Sequence, residues 1–539
     1  MFHRREEVKL SETSQKIYDK LIEQDSLLYQ IKKEFDFSWI YTIVQSFYCL
    51  NNGRNSIDGQ IALKAIFAQR LFGLSERGLE RKAKYDLEIK YFLDIEIDDA
   101  AYDFTTIWKF KKKLGAERVE DIFGVILTQI KGKGILKNVK RQALDTVPIV
   151  SAAALPSITS LIYHTMKLVC KEVDSELLNQ ILKETDLTEE KLEHYAKARP
   201  LFRVDDSEKI KIFQKAAKRG LKVLMLVREK KFNSENVGLL EEILQDNVCQ
   251  KDNDEHQIKQ TPHAKKSLVD KDAGLGHKTK DDIIFGYKAG VTTTQEGFIT
   301  AYNVTSMSHR DDEHLIPLLN MQEKNGTKCE EADADSAFGF IKNFVEAEEK
   351  QVILHAPLRD FDPEKLSVYD FKYDTEKQEL TCANNVTVKG RYAGALSFEF
   401  PLKTCRTCPK ADMCPLARSK VATLHKNHEA ARKAINRQRE DREIDKRNRE
   451  NGIKNFNRLV VENVFAFLEK LGIKVTQAYS LEMTKVHVGI VVTLSNMIKT
   501  VRKLKKLREK ENCQGESQKI NSLERNISAL GANFLGYSV

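Results

Sequence analysis

Three acidic residues, far apart in the sequence, have local settings that suit metal-dependent chemistry. Asp145 lies in the apolar run RQALDTVPIV, Asp335 in EEADADSAFG, and Glu462 in NRLVVENVFAFLEK. The first two segments predict strands with the carboxylates at or near their ends, and the third predicts a helix. Two Asp and one Glu at one point would hold a pair of Mg²⁺ ions, an arrangement that serves in-line displacement at phosphorus.

Each acid taken alone also has an ordinary explanation. An Asp where a strand runs into a turn is often a turn former, and Pro148 follows Asp145 closely. Glu462 has Arg458 one helical turn before it, which is the spacing of a simple ion pair. Asp335 competes with Asp333, two residues earlier on the same strand face.

Composition and charge bound the class of protein. The chain has 539 residues, 41% hydrophobic and 31% charged, which predicts a globular protein with several domains or one core with large insertions. It has no run of 18 apolar residues and begins without the apolar stretch of a secretory signal, so we expect a cytoplasmic protein without a membrane span. The net charge of +9 is modest, but basic residues concentrate at 426–458 and 501–510. Either run is a solvated helix face or a phosphate-binding surface.

The elements divide the chain into seven stretches. Residues 1–138 predict a helical, DNA-binding domain with Lys and Arg on outer faces and with Ser56 and Ser75 capping helices, although a plain helical domain explains the pattern equally well. The remainder predicts an α/β (mixed) fold in which a sheet receives two insertions. The expected stretches are a first strand (139–156), a helical insertion and linker (157–260), central strands (261–360), a cysteine insertion (361–425), a basic helix with the Glu-bearing helices (426–500) and a basic tail (501–539).

Four of the nine cysteines form a separate motif. Cys405, Cys408 and Cys414, with Cys382 upstream, supply four soft ligands, and the CxxC spacing places two thiolates on one tight turn. This pattern predicts a structural, tetrahedral Zn²⁺ site. An iron–sulfur cluster or unliganded thiols are the alternatives.

Taken together and in this order, the segments resemble bacterial insertion-sequence transposases of the DDE type, which have a ribonuclease-H-like catalytic fold. The resemblance rests on IALKAIFAQRLFGLSERGLERKAKYDLEIKYFL, LDTVPI, GFITAYNVTSMSHRDDEHLIPLL, DADSAFG and RLVVENVFAFLEK with VVTLSNMIKTVRKL. The DADSAFG register selects Asp335 over Asp333. The chain departs from the family pattern at Asn455, where Tyr is frequent, and at Glu469, where Lys is frequent and Lys470 is adjacent.

The resemblance implies a DNA transposase that cleaves and joins strands with two Mg²⁺ (or Mn²⁺) ions held by Asp145, Asp335 and Glu462. It implies binding to terminal inverted repeats and target DNA, and a homodimer when two ends are brought together. The DNA-contacting residues it suggests are Arg458, Lys470, Lys288, Lys278 and Lys280, with Tyr287 and His277 lining the same path. Two alternatives stay open: an inactive or domesticated DNA-binding descendant, and a related nuclease that cuts without joining.

Overall fold

A computed structural model describes most of the chain. The described residues are 2, 4, 10–49, 52, 55–137, 139–197, 205–250, 256–259, 264–277, 282–359, 362, 364–392, 396–416, 419–450, 460–476 and 478–534, with the backbone alone at 206, 445, 448, 449 and 511–534. The chain divides into two compact units, which we call the helical unit (Met1–Lys137 with Gly489–Val539) and the sheet unit (Asn138–Val488).

The N-terminal part of the helical unit is a series of short amphipathic helices. They are α1 (Glu12–Leu21), α2 (Leu27–Glu34), α3 (Ile40–Val44), α4 (Gly59–Leu71), α5 (Glu76–Tyr85), α6 (Leu87–Leu93) and α7 (Phe104–Gly132). The expected Ser75 cap is confirmed, because its hydroxyl accepts a hydrogen bond from the Gly78 N–H. The expected Ser56 cap is wrong: Asp58 caps α4 and accepts from the amides of Gln60 and Ile61.

Buried charges fix several of these helices to one another. The Asp94 carboxylate, 14% exposed, forms ion pairs with Lys32 (2.5 Å) and Lys64. Burial alone would raise the pKa of Asp94, but the two ammonium groups outweigh burial and lower it. Asp94 therefore joins α2 and α4 at the end of α6, where its own backbone has a φ of 57°.

The sheet unit contains the strands and the remaining helices. The strands are β1 (Arg141–Val150), β2 (Val248–Gln250), β3 (His256–Ile258), β4 (Gly274–His277), β5 (Ile283–Thr294), β6 (Ile299–Ser306), β7 (Glu331–Asp333), β8 (Ile353–His355), β9 (Lys372–Asp374), β10 (Glu379–Thr381), β11 (Thr387–Lys389), β12 (Arg391–Tyr392), β13 (Leu396–Glu399) and β14 (Val421–Leu424). The helices are α8 (Ile158–Cys170), α9 (Ser175–Glu184), α10 (Glu189–Ala196), α11 (Asp206–Glu229), α12 (Glu235–Asn247), α13 (Leu315–Lys324), α14 (Ile341–Glu349), α15 (Leu402–Arg406), α16 (His428–Glu450) and α17 (Val460–Lys470). A last helix, α18 (Leu481–Phe534), begins in this unit.

The main sheet is mixed, which confirms the α/β prediction. Its order is β4-β5-β1-β7-β8, and β6 also pairs with β5. β1 pairs antiparallel with β5 on one side and parallel with β7 on the other, and β7 pairs parallel with β8. Strands β5 and β6 form a hairpin, because they pair antiparallel on either side of residues 295–298.

Pro148 lies inside β1 and does not end it, contrary to the sequence prediction of a turn. The N–H of Ser151 bonds to Phe285 of β5, whereas the N–H of Val150 faces the other way and bonds to Lys474. Pro148 has the parity of Val150, so its missing N–H points away from β5. The pairing of β1 with β7 ends at Ala143, so no ladder needs that hydrogen.

Gly286 is the residue of β5 that is paired with both β4 and β1. Its φ is 155°, and a Cβ at this position would lie 2.1 Å from the carbonyl oxygen of Ile149 in β1. Backbone atoms of two strands occupy the space that any side chain would need. The close approach of β5 to β1 therefore requires glycine here.

Both insertions have apolar cores of their own. Helices α8 to α12 enclose a core that includes Ile162, Met166, Ile181, Leu240 and Ile243. The cysteine segment has a smaller core around Leu380, Phe398 and Ala422. Each insertion can therefore hold its shape without contributing strands to the main sheet.

Candidate active site of the sheet unit

Asp145 and Asp335 belong to neighbouring parallel segments. Ala143 of β1 is in register with Asp333 of β7, and two residues further in the same direction stand Asp145 and Asp335. Because side chains alternate along a strand, positions 141, 143 and 145 share one face of the sheet. The sequence had suggested that Asp145 lies at or near the end of a strand. It lies instead in the middle of β1, because the strand continues through Pro148 to Val150.

The two aspartates after the second acidic segment differ in what surrounds them. Asp333 is buried and forms a two-pronged ion pair with Arg141, with both N–O distances 2.7 Å. Asp335, half-buried, accepts a hydrogen bond from the backbone N–H of Ala337 at 2.9 Å. Asp333 is thus neutralised by a guanidinium, while the described contact of Asp335 is with an uncharged amide.

A histidine extends the charged network of Asp333 along the sheet. The ring nitrogens of His355 in β8 lie 3.0 Å from Asp441 of α16 and 3.1 Å from Glu331 of β7. Glu331 is also 3.2 Å from Arg141. Burial alone would lower the pKa of His355, but the hydrogen bond and charge of Asp441 outweigh burial and raise it. The network fixes α16 to the strand edge next to the second acidic segment.

Glu462 lies in the first turn of α17, which packs against β1 and β5. Val461, Val464 and Leu468 are buried, as their spacing predicts, and Glu462 is exposed beside them. After the helix, the N–H of Val150 donates to the Lys474 carbonyl at 2.7 Å, and the N–H of Thr476 donates to the Val150 carbonyl at 3.2 Å. The segment that follows the Glu-bearing helix is therefore joined to the end of β1.

The structure places Asp145 on β1 and Asp335 two residues after the end of the adjacent β7, but it does not gather all three acids. Among the described residues, no group of three or more His, Cys, Asp and Glu side chains is arranged to hold a metal ion. The donor chemistry still fits divalent magnesium, since all three candidates are carboxylates and the sheet unit carries them on β1, beside β7 and on α17. Their joint role in metal binding stays a prediction.

The expected DNA-contacting residues have different surroundings. Lys470 is exposed at the end of α17, whereas Arg458, Lys278 and Lys280 lie outside the described residues. Lys288 makes its described contacts within the protein: its ammonium group forms an ion pair with Asp311 and donates to the His309 carbonyl at 2.9 Å.

Tyr287, expected on the same DNA path, is fully buried, and its hydroxyl hydrogen-bonds to the buried carboxylate of Asp270. Sequence reasoning missed this because Tyr287 lies where β5 is paired with β1 on one side and β6 on the other, so its side chain is covered. His277, at the end of β4, is exposed.

The four expected cysteine ligands line one small cavity of about 30 Å³. Cys405 and Cys408 flank a helical turn, and the ammonium group of Lys410 ties that turn to the Ala383 carbonyl at 2.7 Å. Burial raises the pKa of the Cys405 thiol, Lys420 opposes it, and the other three thiols raise it further. Four thiols around one cavity suit a soft cation by donor chemistry. In the described part of the chain, however, these cysteines are not arranged as a metal-holding group.

Comparison with known proteins identifies one region of the chain. Residues 16–113 match a family model described as "Transposase domain (DUF772)". No curated protein and no solved structure matches the chain. None of the described helices is long and apolar enough to cross a membrane. The matched segment lies in the helical unit, from α1 to the first third of α7, and it supports a transposase with DNA as its partner.

Proposed function

We propose that this protein is a DDE transposase of an insertion sequence, in which the sheet unit is a ribonuclease-H-like catalytic core. The observation that carries the proposal is the parallel pairing of β1 with β7, in which Asp145 and Asp335 each stand two residues after the paired residues Ala143 and Asp333. The transposase-domain match in the helical unit supports the same class of protein from a separate part of the chain.

Asp145, Asp335 and Glu462 are the residues that would hold two Mg²⁺ (or Mn²⁺) ions. Bound divalent ions supply activation of the attacking water or DNA 3′-hydroxyl and stabilisation of the leaving oxygen. The chain contributes position. Asp145 is held in the middle of a strand that pairs with β5 both before and after this position, and the Ala337 amide fixes the Asp335 carboxylate. Arg141 compensates the charge of Asp333, whereas the described partner of Asp335 is a backbone amide. Asp335 is therefore the acid of this segment that we assign to metal binding.

Glu462 is the most exposed of the three acids and stands on a helix rather than a strand. Its helix is set against β1 and β5 by three buried apolar residues and by the pairing of residues 474–476 with Val150. We infer that DNA, whose phosphates would attract the cations, completes the gathering of the three acids. Terminal inverted repeats and target DNA are the proposed substrates, and two copies of the chain would bring two ends together.

The cysteine segment is proposed as a structural zinc module. Cys382, Cys405, Cys408 and Cys414 would hold one Zn²⁺ as thiolates, closing the loop between residues 382 and 414. A site of four thiolates has no open position, so it would support the fold and take no part in the phosphoryl transfer.

The test uses isosteric changes that remove one negative charge each: Asp145→Asn, Asp335→Asn and Glu462→Gln. The substrate is duplex DNA from immediately either side of the coding region, with Mg²⁺. We expect strand cleavage to fall by roughly 10³-fold or more, because losing a metal ligand removes several kcal/mol of transition-state stabilisation. Binding of the same duplex should stay close to that of the unchanged protein.

The matched control is Glu330→Gln, which also removes one carboxylate charge beside β7. Glu330 is exposed and paired with Lys140 at 3.1 Å, so its loss should leave cleavage intact. Full cleavage by all three test variants would overturn the proposal. Cleavage without joining of a 3′-hydroxyl end to target DNA would instead indicate a nuclease, and binding without cleavage by the unchanged protein would indicate an inactive descendant.

A further inference from the structure

The exposed face of α5 is strongly basic. Arg77, Arg81, Lys82 and Lys84 are exposed along this helix, while Leu79 and Ala83 on its opposite side are buried. Glu76 of the same helix pairs with Lys111, Glu80 pairs with Lys84 and accepts from the Phe104 N–H, and Lys82 pairs with Asp86 just after the helix. Beyond these pairs, Arg77 and Arg81 supply positive charge on the outer face of α5.

The helix is held in place by its neighbours. Residues 72–75 connect α4 to α5 in a short turn, in which Gly73 has a φ of 61°. The ammonium group of Lys111 in α7 is 5% exposed and lies 3.0 Å from Gln69 of α4 and 2.7 Å from Glu76 of α5. One buried lysine thus ties together both helices of the α4–α5 pair and the helix behind them.

The start of α7 adds an aromatic and more charge to the same surface. Trp108 is 42% exposed, Lys109 and Lys112 are exposed beside it, and the Lys112 ammonium lies 4.8 Å from the indole ring. Phe104, Thr105 and Trp108 line a groove of about 380 Å³ with Ser75, Glu76 and Arg77 at the beginning of α5. The Arg77 guanidinium lies 5.0 Å from the Phe104 ring. The half-exposed indole therefore lies within the basic surface and borders the groove.

We propose that this surface, formed by α5 and the first turns of α7, binds double-stranded DNA with α5 in the major groove. The inference rests on the proposed function and assigns the residues that recognise the DNA ends. A major groove about 12 Å wide admits one α-helix, and a helix of ten residues is about 15 Å long. Arg77 and Arg81, one turn apart on the exposed face, can reach base edges. Lys109 and Lys112 would lie against the flanking phosphates, and Trp108 would pack on the backbone.

The first experiment compares two double variants that each remove two positive charges from the helical unit. Arg77→Gln/Arg81→Gln changes α5, and Lys20→Gln/Lys33→Gln changes exposed lysines of α1 and α2. The DNA is a duplex from the region flanking the gene, with a scrambled duplex of the same composition beside it. Loss of base contacts should weaken binding to the flanking duplex by tenfold or more and reduce its preference over the scrambled one. The Lys20/Lys33 control should change both affinities alike and only slightly.

A second measurement reads the surface directly. The chain has two tryptophans, so Trp39→Phe leaves Trp108 as the sole indole. Adding the flanking duplex to that variant should change Trp108 emission in step with binding, and the change should disappear at high salt as counterions compete. Melting of each variant by circular dichroism identifies any that has lost its fold, and the single variant Arg81→Gln replaces the double one if Arg77 proves necessary for stability.

The outcomes separate this inference from the proposed function. Equal weakening by the two double variants, or an unchanged Trp108 signal on saturation with DNA, would overturn the assignment of α5. Intact cleavage by the unchanged protein in the same preparation would leave the proposed function standing. A protein that bound through α5 but never cleaved would support the inference and contradict the transposase chemistry.

Discussion

The helical unit and the sheet unit differ in how they satisfy their buried carboxylates. In the helical unit, Asp94 meets the ammonium groups of Lys32 and Lys64, and Glu76 meets that of Lys111. Each of these acids is neutralised by a cation from another helix. Such pairs fix the relative positions of helices, and the negative charge of each acid is already compensated by lysine.

The sheet unit contains both situations side by side. Asp333 is neutralised by Arg141 in the same manner, whereas Asp335, two residues later, has its described hydrogen bond from a backbone amide. Asp333 and Asp335 thus differ both in burial and in partner, and an acid already paired with a guanidinium is less available to a metal ion.

A large effect is expected from metal removal in the cysteine segment of the sheet unit. The unchanged protein should carry one zinc per chain, and Cys408→Ser should lose it. At zinc concentrations about 1,000-fold above Kd the metal would contribute about 4 kcal/mol to the stability of residues 371–424. Hydrogen exchange of that segment, with and without chelator, measures the loss.

The matched control for that variant is Cys249→Ser, because Cys249 lies outside the cluster and contacts the Gln257 carbonyl. It should keep the zinc and the exchange protection of the segment. A zinc-free unchanged protein with full protection of residues 371–424 would contradict the metal assignment.

In the helical unit, Asp94→Asn should cost about 3–5 kcal/mol of unfolding free energy. Asparagine keeps the shape and tolerates the positive φ at this position, so the loss reports the charge that Lys32 and Lys64 would no longer meet. Urea unfolding followed by tryptophan emission measures it, since Trp39 and Trp108 both lie in this unit. A change below about 1 kcal/mol would show that the three charges do not depend on one another.

In the sheet unit, a buried histidine gives a smaller effect that depends on pH. His314 is fully buried between Asn303 and Thr305, and burial, with Lys288 nearby, lowers its pKa to about 4. The unfolded chain takes up a proton at this position below about pH 6.5 while the folded chain does not. Stability should therefore fall as pH drops from about 6.5 to 4, by at most about 3 kcal/mol.

Urea unfolding of His314→Gln at pH 7.5 and pH 5, followed by circular dichroism, tests this. The variant should lose part of the pH dependence that the unchanged protein has. His309→Gln is the control, because His309 is exposed and pairs with Glu313, so it should leave the dependence in place. An identical pH dependence in the two variants would contradict the role of His314.

The sequence predicted the elements well and the surroundings of single residues poorly. The apolar run around Asp145 identified β1, and the run NRLVVENVFAFLEK identified α17. These are local patterns. The ion pair of Lys288 and the burial of Tyr287 were missed because they depend on Asp311 and Asp270, which lie in other segments.

The candidate site shows the same limit. The motif register selected Asp335 over Asp333, and the structure supplies a physical reason that the motif lacks, which is the guanidinium of Arg141 from a strand some 190 positions earlier. The joint position of Asp145, Asp335 and Glu462 depends on three remote segments, so no local pattern determines it.

Gly286 has a consequence for how copies of this gene would decay. Exchanging an acid for its amide would silence the proposed chemistry and leave a folded protein. Any codon change at position 286 that introduces a side chain would instead push apart two strands at the centre of the sheet. A copy in which the three acids are intact but residue 286 is no longer glycine should therefore be inactive.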